Sequence, residues 1–279
     1  MWQAEVMHTP TAAAVPTSNR QLLANCVIAA LIGQTGMVLT HELGHLFAGL
    51  ALGYPSTLYA FGVTHDGDPT SGHVALMAMA GPVLSLVMGL IMQVWMPLRS
   101  RNGFGHLVWL FFAFCSVQEM VGYLVITPFG AGDTAEATAA LDLPIATVFV
   151  ACALGLAGMF ANARAFAPHL ARYAGADRAR RNAFALFPWL FGSIISAVLS
   201  VTYLAITPGE FEAGAQVAVM IASTAILVFA PMANIFHKQV AHIPHQPLDL
   251  PQVPRVGFVV IGALIVINLL LSIFGLRLG

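Results

Sequence analysis

His41-Glu42-Leu43-Gly44-His45, inside the apolar run 22–52, is the stretch on which the reading of this chain turns. Residues four apart share one face of a helix, so both imidazoles can reach a single ion. The Glu42 carboxyl then lies beside that ion, where it can take a proton from metal-bound water. With 10 histidines in 279 residues, chance would produce the pattern H-E-x-x-H roughly once in a hundred such chains. Ionisable side chains are expensive in hydrocarbon and rarely sit there without a task. The plainer alternative is a pair of hydrogen-bonded core histidines beside a neutral glutamic acid.

The surroundings of the motif set the fold class. The chain is 58% hydrophobic and 8% charged, against about 25% charged in a soluble domain, and its mean hydropathy is +0.83. This composition predicts an all-α polytopic membrane protein. Seven apolar segments, near 22–52, 74–97, 106–127, 143–165, 183–206, 215–236 and 256–276, are long enough to span roughly 30 Å of hydrocarbon. The first is expected to project from the membrane or break at Gly49 and Gly53. The division that follows is a tail over 1–20, a three-span core over 21–142 and a further four-span region over 143–279. The connections, at most about 20 residues, are too short for a soluble domain. A net charge of −1 argues against a nucleic-acid partner. Cys26, Cys115 and Cys152 form no Cys-x-x-Cys, so neither a thiolate metal site nor a disulfide framework is expected. Residues 1–20 hold no apolar run of signal-peptide type.

Basic residues orient the spans. With the N-terminus inside, Arg20, Arg99, Arg101, Arg164, Arg172, Arg178, Arg180, Arg181, Lys238 and Arg255 fall on the inner side and only Arg277 outside, a positive-inside pattern that also favours an odd span number. The outer loops carry Asp66, Asp68, Asp133, Glu136, Asp142, Glu210 and Glu212 instead. The expected setting is a bacterial inner membrane with the N-terminus in the cytoplasm.

Two histidines do not complete a catalytic zinc site; a third protein ligand is expected, with one position left for water. His41 lies about 19 residues past the inner start of its span, roughly 28 Å along a helix, which puts the motif in the outer half of the bilayer. Asp133 reaches that level. It follows the third span in Thr127-Pro128-Phe129-Gly130-Ala131-Gly132-Asp133, where proline ends the helix and the glycines let the backbone turn back. The alternative is an N-cap aspartate opening the stretch 134–141. His65, His73, Asp66 and Asp68 share that side, although solvated loop residues are their plainer reading. Glu119, a carboxyl inside the third span, needs a partner or a proton and reads as a support for the ligands or a gate. The loop 53–73 reads as a hairpin: a strand over 57–64, a turn at Asp66-Gly67-Asp68-Pro69 and a return over 72–76. Its exposed edge, with Phe61 and Val63, could add a substrate strand.

Three blocks together resemble the site-2 protease group of intramembrane zinc metalloproteases, peptidase family M50. They are the His41–His45 motif in a membrane helix, Ala80-Gly81-Pro82 opening the next span, and Pro128 followed five residues later by Asp133. The resemblance covers roughly residues 30–142. It implies His41, His45 and Asp133 as zinc ligands, Glu42 as general base and a membrane-protein substrate in the bilayer. It also brings departures. Ser85 and Val125 stand where the family has asparagines thought to position substrate or stabilise the oxyanion, and Thr134 replaces the glycine after the aspartate. In the best-known members the zinc lies toward the cytoplasm, whereas the charge bias here places it outside. Ser85 joins Glu119 and Phe61 as a candidate contact to ligands or substrate. The expected function is a membrane-embedded zinc metalloendopeptidase cutting in or near a transmembrane segment. The alternatives are a weak or inactive relative that binds membrane partners and, third, an ion transporter using His41, Glu42, His45 and Glu119. Oligomeric state is not encoded in any feature of the sequence.

Overall fold

The computed structural model describes residues 17–94, 102–207 and 225–279. Six helices among them are long and apolar enough to cross a membrane. These are α1 (Asn19–Ala51), α2 (Ser71–Val94), α3 (Phe104–Ile126), then, after the short α4 (Asp133–Ala140), α5 (Ile145–Ala174), α6 (Arg178–Ile206) and α7 (Arg255–Phe274). The outward faces carry large apolar side chains, such as Phe149, Leu154, Phe160, Phe258 and Val259. Water would penalise so much contiguous apolar surface and hydrocarbon does not. The chain is a helical multi-pass membrane protein.

The seventh expected span, 215–236, falls partly outside the described residues. Its described part belongs to a run over 225–240 of short 3-10 and α turns, not one helix. Pro231 interrupts the helical hydrogen-bond ladder there. The chain nonetheless changes ends between α6 and α7. Tyr203, in the last turn of α6, packs with Phe61 beyond the C-terminal end of α1. Residues 246–251 lie at the opposite end, where they strap the start of α1. Thr17 donates to the Leu248 carbonyl at 2.7 Å, Gln21 to Leu250 at 2.6 Å and Asn25 to Pro251 at 2.9 Å. The run 225–240 points the same way, with His237 Nε2 3.2 Å from the Gly175 carbonyl at the end of α5. Thus α7 runs parallel to α1. The end of the expected N-terminal tail belongs to the fold, because Ser18 caps α1 by accepting from the Gln21 amide.

The main core lies between α1, α3, α5, α6 and the run 225–240, where Phe111, Phe114, Phe166, Phe184, Phe229 and Tyr173 are buried together. Small residues allow helices to touch: a side chain at Gly33 would meet the Phe111–Phe112 backbone, and one at Gly89 the Ala113 carbonyl.

The loop after α1 corrects two expectations. Helix α1 runs through Gly49 to Ala51, with Leu52 as its C-cap; the break is at Gly53, whose φ is +85°. The hairpin exists but is shorter than expected. β1 (Ser56–Tyr59) pairs antiparallel with β2 (Gly62–His65), Tyr59 opposite Gly62, so the turn is Ala60-Phe61. Residues 72–76 are the first turns of α2. Nor is the β1 edge free, because β3 (Leu276–Leu278) pairs on its other side in the order β2-β1-β3. Burial of Phe61 against Leu199, Tyr203, Leu269 and Leu271 outweighs the stronger local turn signal at 66–69. That signal instead links the sheet to α2. Asp66 there meets Arg277 at 2.7 Å, an exposed ion pair of little energetic weight.

Candidate metal centre

Helix α1 buries His41, Glu42 and His45 deep in the bundle. As the four-residue spacing requires, the imidazoles stand on one face, their Nε2 atoms 2.9 Å apart. The chain brings Asp133 to them by the expected route. A 3-10 turn over Thr127–Phe129 ends α3, Gly130 and Gly132 take left-handed φ of +68° and +80°, and Asp133 opens α4. Its Oδ2 is 3.0 Å from His41 Nε2 and 3.3 Å from His45 Nε2. The N-cap alternative fails: Gly132 is the cap residue, and the Asp133 carboxylate faces the histidines.

The three atoms suit a metal better than one another. His45 Nδ1 lies 2.7 Å from the Met77 carbonyl. Donating there leaves a neutral His45 with a lone pair at Nε2. An ionised carboxylate is likewise acceptor-only, and Asp133 Oδ2 is buried with no partner at hydrogen-bond geometry. Lone pairs converging on one point call for a cation between them. Ligands about 2.0–2.1 Å from a tetrahedral zinc are about 3.3 Å apart, close to the edges of this triangle. His41, His45 and Asp133 are the group among the described residues with metal-binding geometry.

Neighbouring residues hold this triangle in place. The Tyr123 ring stacks on His41 with centroids 5.4 Å apart, and a side chain at Gly132 would collide with that ring. Thr134 Oγ1 donates to the Tyr123 carbonyl at 2.9 Å and lies 2.6 Å from Thr127 Oγ1. The threonine that departs from the family pattern thus stitches the start of α4 to the end of α3. Glu119 Oε1 stands 3.6 Å from His41 Nδ1. That is too long for a hydrogen bond, but the carboxylate faces the nitrogen turned away from Asp133, as a ligand-orienting carboxylate does.

The glycines of two sequence blocks meet here. A side chain at Gly44 would lie 2.8 Å from the Ala80 carbonyl oxygen and from Gly81 Cα, and one at Gly81 would enter the His45 imidazole. Gly81 is therefore needed where α2 crosses the motif. We expect Gly81→Ala to displace His45 and weaken metal binding about 10- to 100-fold, as losses of ligand support do, measured by competition with a chelating dye. Unchanged affinity would mean that α2 shifts without cost.

The other candidates separate. Glu42 and Phe61 line a cavity of about 70 Å³, with Glu119 and Tyr123 on its wall. Ser85 is fully buried on α2, its Oγ without a partner, and does not line that cavity. His65 bonds Ser56 Oγ at 2.8 Å and His73 the Tyr54 hydroxyl at 2.8 Å. Burial, with His45 nearby, holds His65 below the ordinary imidazole value. Neither belongs to the triangle. The opposite cavity wall was not anticipated from sequence: Ser196, Ser200 and Tyr203 of α6 and Asn268 of α7. The available signal was Asn268, with Ser272, in the otherwise apolar run 256–274, and three hydroxyls spaced four and three residues apart on one helical face.

No family model matches this chain, and no curated protein and no solved structure matches it.

Proposed function

We propose that the protein is a membrane-embedded zinc metalloendopeptidase, hydrolysing a peptide bond in or near a transmembrane segment of a substrate protein. The convergence of His41 Nε2, His45 Nε2 and Asp133 Oδ2 within 3.3 Å, with Glu42 next in sequence, carries this reading. A purely structural metal site has no need of a buried carboxyl beside it. The three family-like blocks add support.

When bound, zinc supplies a water of lowered pKa and polarises the scissile carbonyl. Glu42 would act as general base, holding the proton taken from an attacking water at a carboxylate oxygen and delivering it to the leaving amine nitrogen, so that one water is consumed and one acid and one amine are formed. His45 is held in its ligating tautomer by Met77, and His41 is flanked by Glu119 and Tyr123.

The test is cleavage of transmembrane peptides by the purified protein in proteoliposomes, read by mass spectrometry. Cleavage should stop with 1,10-phenanthroline and return with added zinc. Cleavage that ignores the chelator, or protein that binds no zinc when purified without chelators, overturns the reading.

A further inference from the structure

The cavity beside Glu42 has a construction of its own. One wall is the catalytic-motif helix: Gln34, Thr35, Val38 and Glu42 follow one face of α1. The other is built by the C-terminal half: Ser196, Leu199, Ser200 and Tyr203 follow one face of α6, and Asn268 closes it from α7. Phe61, at the hairpin turn, also lines it. Ser196 Oγ donates to Gln34 Oε1 across the gap at 2.9 Å, tying the two walls together.

Two groups on the C-terminal wall stand out. Tyr203 is 7% exposed and Asn268 3%. Their side chains interact with each other, and the Tyr203 hydroxyl oxygen and Asn268 Oδ1 have no other partner, at strict hydrogen-bond geometry, among the described residues. A polar atom buried without a partner inside an apolar bundle is costly, and a ligand that supplies the missing bond recovers that cost. The pair wants a group that both donates and accepts. The volume, about 70 Å³, exceeds the roughly 10–15 Å³ of such volume that one water needs, so a small side chain fits it.

We propose that this cavity is a specificity subsite that receives one small hydroxyl or amide side chain (Ser, Thr or Asn) of the substrate polypeptide, bound by Tyr203 and Asn268. The assignment rests on the endopeptidase reading for the identity of the ligand, not for the cavity. It also solves a problem for a protease working on helices. Ser, Thr and Asn compete for backbone hydrogen bonds and weaken helices locally. A site that selects such a residue selects a segment that unwinds at lower cost. Discrimination is strong in this sense: a site built to bond a hydroxyl rejects the isostere without one, because its own polar groups are left unpaired.

The experiment uses Glu42→Gln protein loaded with zinc in nanodiscs, so that binding is read without turnover. The probes are leucine–alanine transmembrane peptides in which one Thr, or its isostere Val, occupies each position in turn. At one position the Thr peptide should bind about ten-fold more tightly than its Val twin. The combined Tyr203→Phe, Asn268→Leu variant, with zinc content unchanged, should erase that difference. Equal affinity within every Thr/Val pair, tight or absent, overturns the subsite, as does discrimination that survives in the double variant. Parallel cleavage assays with the Glu42 protein separate the two claims. Thr preference in binding with no cleavage retains the subsite and defeats the protease reading; cleavage indifferent to Thr or Val does the reverse.

Discussion

Glu42→Gln is expected to abolish peptide-bond hydrolysis while leaving zinc content at the wild-type level. The substitution keeps shape and removes the proton acceptor, and loss of a positioned general base costs about 10²–10⁴ in rate. It leaves the triangle of His41, His45 and Asp133 intact, since Glu42 contributes no atom to it. The informative comparison is metal content against turnover in the same preparation. Loss of both together would make Glu42 a structural residue. Retained cleavage would exclude it as the base.

Asp133→Ala is expected to have the opposite signature, with zinc lost first and activity lost as a consequence. Two imidazoles alone make a poor zinc site, and the missing carboxylate also removes the negative charge that faces both rings. Affinity should fall by at least about 100-fold, leaving less than one-tenth of a zinc per protein after gel filtration, read by plasma mass spectrometry. His41→Ala should behave alike. A variant that keeps its zinc would show that Asp133 only orients the histidines. The helical content should persist, because Thr134, not Asp133, secures the start of α4.

How far the site was legible follows from its construction. His41, Glu42 and His45 are local: one helical turn decides their geometry, and the sequence displays it. Asp133 was accessible because proline and two glycines announce a chain reversal just before it. The hairpin turn at Ala60-Phe61 was not accessible, since nothing local marks it. Its position is set by Phe61 packing on helices more than 130 residues away in sequence, while the louder signal at 66–69 serves a different connection. The subsite wall was hidden for the same reason. Ser196, Ser200, Tyr203 and Asn268 look like scattered polar residues in apolar helices until α6 and α7 are seen against α1. Seven apolar segments were legible in the sequence, and six of them are long helices among the described residues, whereas the winding of 225–240 depends on Pro231 and its packing on α5.

The clamp on α1 at both ends comes from the far end of the chain. The helix carrying the motif precedes its braces in the chain. Its Thr17, Gln21 and Asn25 side chains find their partners only at Leu248, Leu250 and Pro251, more than two hundred residues later. At its other end, β1 pairs with β3, residues 276–278. The candidate metal centre is thus braced by segments far from it in sequence, at both ends of α1. A chain lacking residues 246–279 would hold the three ligands without the contacts that brace both ends of α1.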